Sequence, residues 1–100
     1  MAEKERYYEV INTWERTDLK NNQKKGDTET TAFRNQENAI KLFKELVRKQ
    51  LILINSINVL GSSEPVISVD KDYLFIWYHY PDPDFVMEHT VKILMHEFAD

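Results

Sequence analysis

The sequence predicts an α+β domain: an antiparallel sheet of about four to five strands with two helices packed on one face. Segments 6–17 and 73–80 are rich in aromatic and β-branched residues that alternate between two faces, which is typical of strands. The segment after Asn35 carries apolar residues three and four positions apart, which is typical of a core-facing helix. A length of 100 residues suits one domain over 1–100. The predicted order is β-β-α-β-β-β-α.

A polar stretch separates the first two predicted strands. Tyr8, Val10 and Trp14 share one face of the first predicted strand, while the other face is half polar. Such a strand belongs to an antiparallel sheet with one covered face. The polar stretch Asp18–Asp27 predicts a loop, and Thr28–Phe33 predicts a second strand.

The middle of the chain begins as a helix, with Asn35 as its predicted N-cap. One stripe of this helix holds its apolar residues, Ala39, Ile40, Phe43, Leu46 and Val47. No glycine or proline ends the helix before Gly61, so Leu51–Val59 fits a helix or a strand. Its β-branched residues and alternation favour a strand. A turn at Gly61–Pro65 and a strand at Val66–Val69 are predicted to follow.

The segment Tyr73–Tyr80 contains five aromatic residues, a histidine and two aliphatic residues, and it carries no acidic residue, lysine or arginine. At a period of two, Leu74, Ile76, Tyr78 and Tyr80 lie on one face, which suits the core under the helices. The other face receives Tyr73, Phe75, Trp77 and His79. The pattern leaves open whether this second face is buried or exposed.

The last segment, 83–98, is predicted to be a helix. Asp82 suits an N-cap, Pro83 suits the first helical position, and Asp84 favours the positive helix end. In the predicted helix, the apolar residues lie on one broad side.

Composition excludes several functional classes. The chain has no cysteine, which excludes disulfide scaffolds, zinc–thiolate sites, iron–sulfur clusters and thiol nucleophiles. Its charged N-terminus lacks the apolar core of a secretory signal, and its apolar runs are too short to span a membrane. We therefore expect a cytoplasmic protein that does not contact membranes.

Charge differs between the two halves of the chain. The formal net charge is −4; residues 1–50 contribute +2 and residues 51–100 contribute −6. An acidic half opposes binding to a phosphate backbone, which makes nucleic acid an unfavourable partner. It suits a basic protein partner, although a solvated acidic surface explains the same residues.

No motif indicates catalysis, a cofactor or a metal centre. The serines lack a nucleophile-elbow context, and neither glycine begins a phosphate-binding loop. His89 and His96 are two turns apart on the predicted helix, too far to share a metal ion. A small-ligand or metal site built from His79, Asp82 and His89 remains an alternative. We expect a protein that is not an enzyme.

The sequence therefore favours a small, acidic protein-binding module. We expect the partner-binding residues to be Tyr73, Phe75, Trp77, His79, Asp82 and Asp84, because interfaces combine aromatic anchors with a polar rim. Small size, acidity and absent catalytic motifs are traits of bacterial immunity proteins and phage-encoded nuclease inhibitors. A basic partner such as a nuclease is the leading hypothesis, and abundant Lys, Asn and Ile suit an AT-rich phage or bacterial genome. The alternative is a self-associating protein whose aromatic face is a homodimer interface.

Overall fold

The computed structural model describes residues 6–59, 64–80 and 83–97, which form a five-stranded antiparallel sheet and one helix. The elements are β1 (Arg6–Asp18), β2 (Gln23–Phe33), α1 (Gln36–Val59), β3 (Val66–Asp70), β4 (Tyr73–His79) and β5 (Phe85–Glu97). Their order across the sheet is β2-β1-β5-β4-β3. The predicted α+β class and antiparallel sheet are confirmed, but these residues contain one helix where two were predicted.

The predicted C-terminal helix is wrong, because residues 85–97 form the central strand. β5 pairs with β1 along 13 residues, from Arg6 opposite Glu97 to Asp18 opposite Phe85. Its odd-numbered residues between the two ends, Met87, His89, Val91, Ile93 and Met95, line one face at period two. A strand with neighbours on both sides satisfies its backbone groups in two ladders, and this outweighs a helix start signal. The predicted N-cap, Asp82, lies outside the described residues.

The core lies between α1 and one face of the sheet, which we call the helix face. Its buried residues are Tyr8, Val10, Ala39, Phe43, Ile54, Ile57, Leu74, Ile76, Tyr78 and Val91. The predicted core positions Leu74, Ile76 and Tyr78 are confirmed. Tyr80, predicted to lie with them, is 37% exposed at the end of β4.

The predicted strand at 51–59 is also wrong, because α1 continues through it. Ile54 and Ile57 extend the buried stripe that Ala39 and Phe43 begin. Isoleucine lowers helix propensity by roughly half a kcal/mol relative to alanine, whereas burying its side chain contributes about 1.5–3 kcal/mol. At the other end the predicted N-cap is confirmed: the Glu37 backbone N–H donates to Asn35 Oδ1 at 2.7 Å. No described helix has the length and hydropathy needed to cross a membrane.

The loop predicted at 18–27 is shorter, because β2 begins at Gln23. Asp18 organises the turn: its Oδ1 accepts the backbone N–H groups of Lys20 at 3.0 Å and Asn21 at 3.2 Å. The side-chain amide of Asn21, with these backbone groups, lowers the pKa of the Asp18 carboxyl. Asn22 closes the turn at φ 54°, a left-handed conformation that asparagine tolerates.

Gly26 of β2 lies close against the backbone of β1, opposite Glu15. A Cβ added there would lie 2.5 Å from the Trp14 carbonyl oxygen and 3.2 Å from the Cα of Glu15. Both contacts are with backbone atoms, which cannot move aside as a flexible side chain would. The hairpin therefore requires glycine here.

We expect Gly26→Ala to lower the free energy of unfolding by about 1–3 kcal/mol, because the methyl group forces the two strands apart. Thr30→Ala, at an exposed position of the same strand, is the control and should change it by less than about 0.5 kcal/mol. Urea unfolding followed by circular dichroism measures both. Equal stability of the two variants would contradict the close approach.

Two neighbouring isoleucines test the extension of α1. Ile54 is 3% exposed and Ile52 is 59% exposed, whereas a strand would place both on one face. We expect Ile54→Ala to lower the free energy of unfolding by about 2–5 kcal/mol. Ile52→Ala should change it by less than about 0.5 kcal/mol. Similar losses in both variants, measured by urea unfolding, would favour a strand instead.

Candidate interface on the open face of the sheet

The face of the sheet opposite α1 is not covered by any described element, and we call it the open face. It is formed by the side chains that alternate with the core positions. On the three central strands these are Tyr7, Glu9, Ile11, Thr13, Glu15, Thr17, Tyr73, Phe75, Trp77, His79, Val86, Glu88, Thr90, Lys92, Leu94 and His96. A cross-strand hydrogen bond at 3.2 Å between the hydroxyls of Thr13 and Thr28 extends this face to β2.

Four side chains of β4 form a row on the open face, which we call the aromatic row: Tyr73, Phe75, Trp77 and His79. The prediction that they share one face is confirmed by the alternating burial of β4. Tyr73 is 38% exposed, and the other three are half-buried. The ring of His79 meets Trp77 edge to face at 5.0 Å, and its Nδ1 lies 3.2 Å from the Phe85 carbonyl oxygen.

Two glutamates lie beside the aromatic row. Glu88 of β5 is the register partner of Trp77 on one side and of Glu15 on the other. Side chains paired in this way have Cβ atoms about 4.5–5.5 Å apart, so two carboxylates and an indole share a small area. Lys24 Nζ contacts Glu15 Oε1 at 3.3 Å, but exposed ion pairs of this kind are weak. The area is acidic and half-exposed.

A second cluster lies at one corner of the open face, formed by Tyr7, Glu9 and His96. The rings of Tyr7 and His96 stack at 4.5 Å with 12° between their planes, and His96 Nε2 lies 2.6 Å from Glu9 Oε1. The sequence prediction missed this cluster because it placed His96 on a helix. Only a strand at 85–97 puts these three residues on one face.

The two predicted acidic site residues precede β5 in the sequence. Asp82 lies outside the described residues. Asp84 is exposed in the turn before β5, and its carbonyl oxygen accepts the Leu19 backbone N–H at 2.8 Å. This bond ties the turn between β1 and β2 to the start of β5. Among the described residues, Glu88 and Glu15 are acidic side chains that lie on the open face beside the aromatic row.

The alternative ligand site is not assembled, because its two described residues lie on opposite faces of the sheet. His79 is on the open face opposite Val86, whereas His89 pairs with Ile76 on the helix face. Within residues 6–59, 64–80 and 83–97, no three histidine or carboxylate side chains are grouped to hold a metal ion. Two depressions of about 390 and 400 Å³ lie along the β1–β2 hairpin, and neither is lined by the aromatic row.

His89 is a buried histidine with one identified partner. Its Nε2 lies 3.1 Å from the Tyr78 hydroxyl, the two rings stack at 5.8 Å, and its Nδ1 is buried with no hydrogen-bond partner among the described residues. Burial lowers the pKa of the His89 imidazole and raises the pKa of the Tyr78 phenol. Tyr78 and His89 therefore belong to the core on the helix face and are not part of the open face.

Comparison with known proteins gives no assignment: no family model, curated protein or solved structure matches this chain. The function is therefore inferred from the open face itself.

His89 predicts how stability depends on pH. Its pKa is lowered in the folded state, so below the unfolded value of about 6.5 the unfolded chain binds the proton more readily. The contribution of His89 to the free energy of unfolding should be fully present above pH 6.5. It should be lost as the pH drops from 6.5 toward the pKa of His89 in the folded state. Thermal unfolding between pH 8 and pH 5.5 measures this loss.

The double variant Tyr78→Phe with His89→Phe removes both polar partners and retains two stacked rings. We expect its loss of stability on acidification to be smaller than that of the unchanged protein. His79→Gln, on the open face, is the control and should leave the loss unchanged. An identical pH dependence in the double variant would exclude His89 as its source.

Proposed function

We propose that this chain is a non-enzymatic binding protein that occupies the surface of a protein partner through its open face. The observation that carries the proposal is the aromatic row, which has no described element over it although Tyr, Trp and Phe are the residues that anchor interfaces. The row lies on β4, which is paired with a strand on each side, so its side chains are already placed for contact.

The glutamates beside Trp77 indicate the chemistry of the partner. Glu15 and Glu88 face each other across adjacent strands, and an indole lies next to them. An arginine or lysine of the partner can pair with the carboxylates while it packs against the indole. The partner that suits this surface is basic, which is consistent with a nucleic-acid-handling protein such as a nuclease.

The same charges oppose direct binding of nucleic acid. Stacking of bases on a sheet works beside a groove of lysines and arginines. On this face Lys92 lies beside Tyr73, but Glu88 and Glu15 lie next to Trp77 and repel phosphate. They also oppose a dimer formed face to face, because the glutamates of both copies would enter one interface. An inhibitory action, a cytoplasmic location and a phage or bacterial origin are parts of the proposal that rest on size, charge and composition.

Two tyrosines of equal exposure test the proposal. Tyr73 is 38% exposed on the open face, whereas Tyr80, just after the same strand, is 37% exposed with its ring 6.4 Å from that of Tyr78, a residue of the helix face. Once a partner is captured from host cells at low salt, we expect Tyr73→Ala and Trp77→Ala each to weaken its binding at least about tenfold. Tyr80→Ala, the matched control, should bind as the unchanged protein does.

Glu88→Gln tests the role of charge. The partner should dissociate from this variant at a lower salt concentration than from the unchanged protein, because one desolvated charge pair is lost. Circular dichroism establishes that each variant is folded. Equal binding by the Tyr73→Ala, Trp77→Ala and Tyr80→Ala variants would contradict an interface on the open face. A purified protein whose mass doubles until Trp77 is replaced would favour face-to-face self-association.

A further inference from the structure

The strand β3 forms one edge of the described sheet and is exposed throughout. It pairs with β4 on one side, and in the described part of the chain nothing pairs with it on the other. Three of its residues are apolar and exposed: Val66 at 54%, Ile67 at 42% and Val69 at 55%. An edge of this kind presents unpaired backbone groups beside apolar side chains, which is a template for pairing with another strand.

The other edge of the sheet is protected against such pairing. β2 carries Lys24, Lys25, Asp27 and Glu29 within its length. Charged side chains along an edge oppose the addition of a further strand, and lysine does so most often in natural sheets. β3 has one charged residue, Asp70, at its end. The two edge strands therefore differ in the number of charged side chains that would oppose pairing with a further strand.

We propose that β3 pairs antiparallel with β3 of a second copy, around a two-fold axis at Ser68. This register places Ile67 opposite Val69 of the second copy on the helix face, so two exposed apolar pairs form on that face. Val66 lies opposite Asp70 of the second copy on the open face. The two Asp70 carboxylates are then at opposite ends of the paired strands and do not repel each other.

The position of the axis follows from the pleat and from the ends of β3. Residues that face each other must point to the same side of the sheet, so the axis lies at a residue. An axis at Val69 would draw Lys71, a turn residue, into the ladder. An axis at Ile67 would draw in Pro65, which has no N–H to donate. Only an axis at Ser68 pairs all of β3, and the two Ile67–Val69 pairs that it forms on the helix face indicate a second copy as the occupant.

The pairing extends the sheet without changing either face. A two-fold axis perpendicular to the sheet keeps both copies of α1 on one side and both open faces on the other. The two aromatic rows are then three strand spacings apart, about 14 Å, with the paired β3 strands between them. This inference does not depend on the proposed function, because the edge and the open face involve different residues.

The contact is short, and a five-residue strand buries less than a standard protein interface. We therefore expect a dimer that forms with rising concentration. Sedimentation equilibrium of the purified chain from about 10 μM to about 1 mM, a range suited to weak affinities, should show the mass rising from 12.0 kDa toward twice that value. A mass that stays at the monomer value over the whole range would overturn the inference.

Complementary variants test the register. Val69→Lys and Ile67→Glu should each weaken the dimer at least tenfold, because each replaces both Ile67–Val69 pairs, which are the apolar contacts of the proposed interface. A mixture of the two variants should recover it, since the introduced lysine lies opposite the introduced glutamate. Thr30→Lys, on the edge strand β2, is the control and should leave the mass unchanged. A dimer that survives Val69→Lys but is lost in Trp77→Ala would overturn edge pairing in favour of face-to-face packing.

Cross-linking gives an independent measurement that does not rely on weakened variants. The chain has no cysteine, so Ser68→Cys introduces a single thiol on the proposed axis. Facing residues of an antiparallel pair have Cα atoms about 4.5–5.5 Å apart, within the range of a disulfide. Mild oxidation should link most Ser68→Cys chains into dimers and few Thr30→Cys chains. Equal linking of the two variants would overturn the proposed axis.

Discussion

The antiparallel pairing of β1 with β5 is the interaction on which the rest of the structure depends. It places residues from near both ends of the chain side by side, with Arg6 opposite Glu97. β5 then serves as the template for β4, and β4 for β3, so the register of one ladder fixes which side chains lie on each face. Such distant pairing carries a large loop-closure cost, which α1 and the intervening core must offset.

The sequence predicted the parts of this fold that local signals determine. The alternation of Leu74 and Ile76 with their neighbours fixed the faces of β4, and Asn35 marked the start of α1. The two wrong elements are those in which local signals compete. Isoleucines at 52–57 favour a strand but are spaced for a helix, and the Pro-Asp-Pro-Asp sequence before β5 is a helix start signal. Burial against distant residues decided both cases, and sequence periodicity does not contain that information.

For the candidate interface, the sequence predicted the residues that lie together on one strand but not their neighbours on other strands. The aromatic row follows from a period of two within one strand, so its four residues were found together. Glu15 and Glu88 are 73 positions apart in sequence, and only the register between β1 and β5 makes them neighbours. The sequence therefore predicted only Asp82 and Asp84 as acidic neighbours of the row, because they are close to it along the chain. An interface formed across strands is visible to sequence reasoning only when the strand order is known.

The edge of β3 and the open face are linked by geometry even though their residues differ. Because edge pairing keeps both open faces on one side, a dimer presents two aromatic rows about 14 Å apart to one partner surface. When both rows engage one molecule, the second contact forms at a high effective concentration, and overall affinity exceeds that of either row alone. A weak edge contact is sufficient for this, since a partner bound by both rows stabilises the dimer by mass action. Binding to the partner and pairing of β3 should therefore strengthen each other, with the helix face contributing the apolar pairs and the open face the recognition.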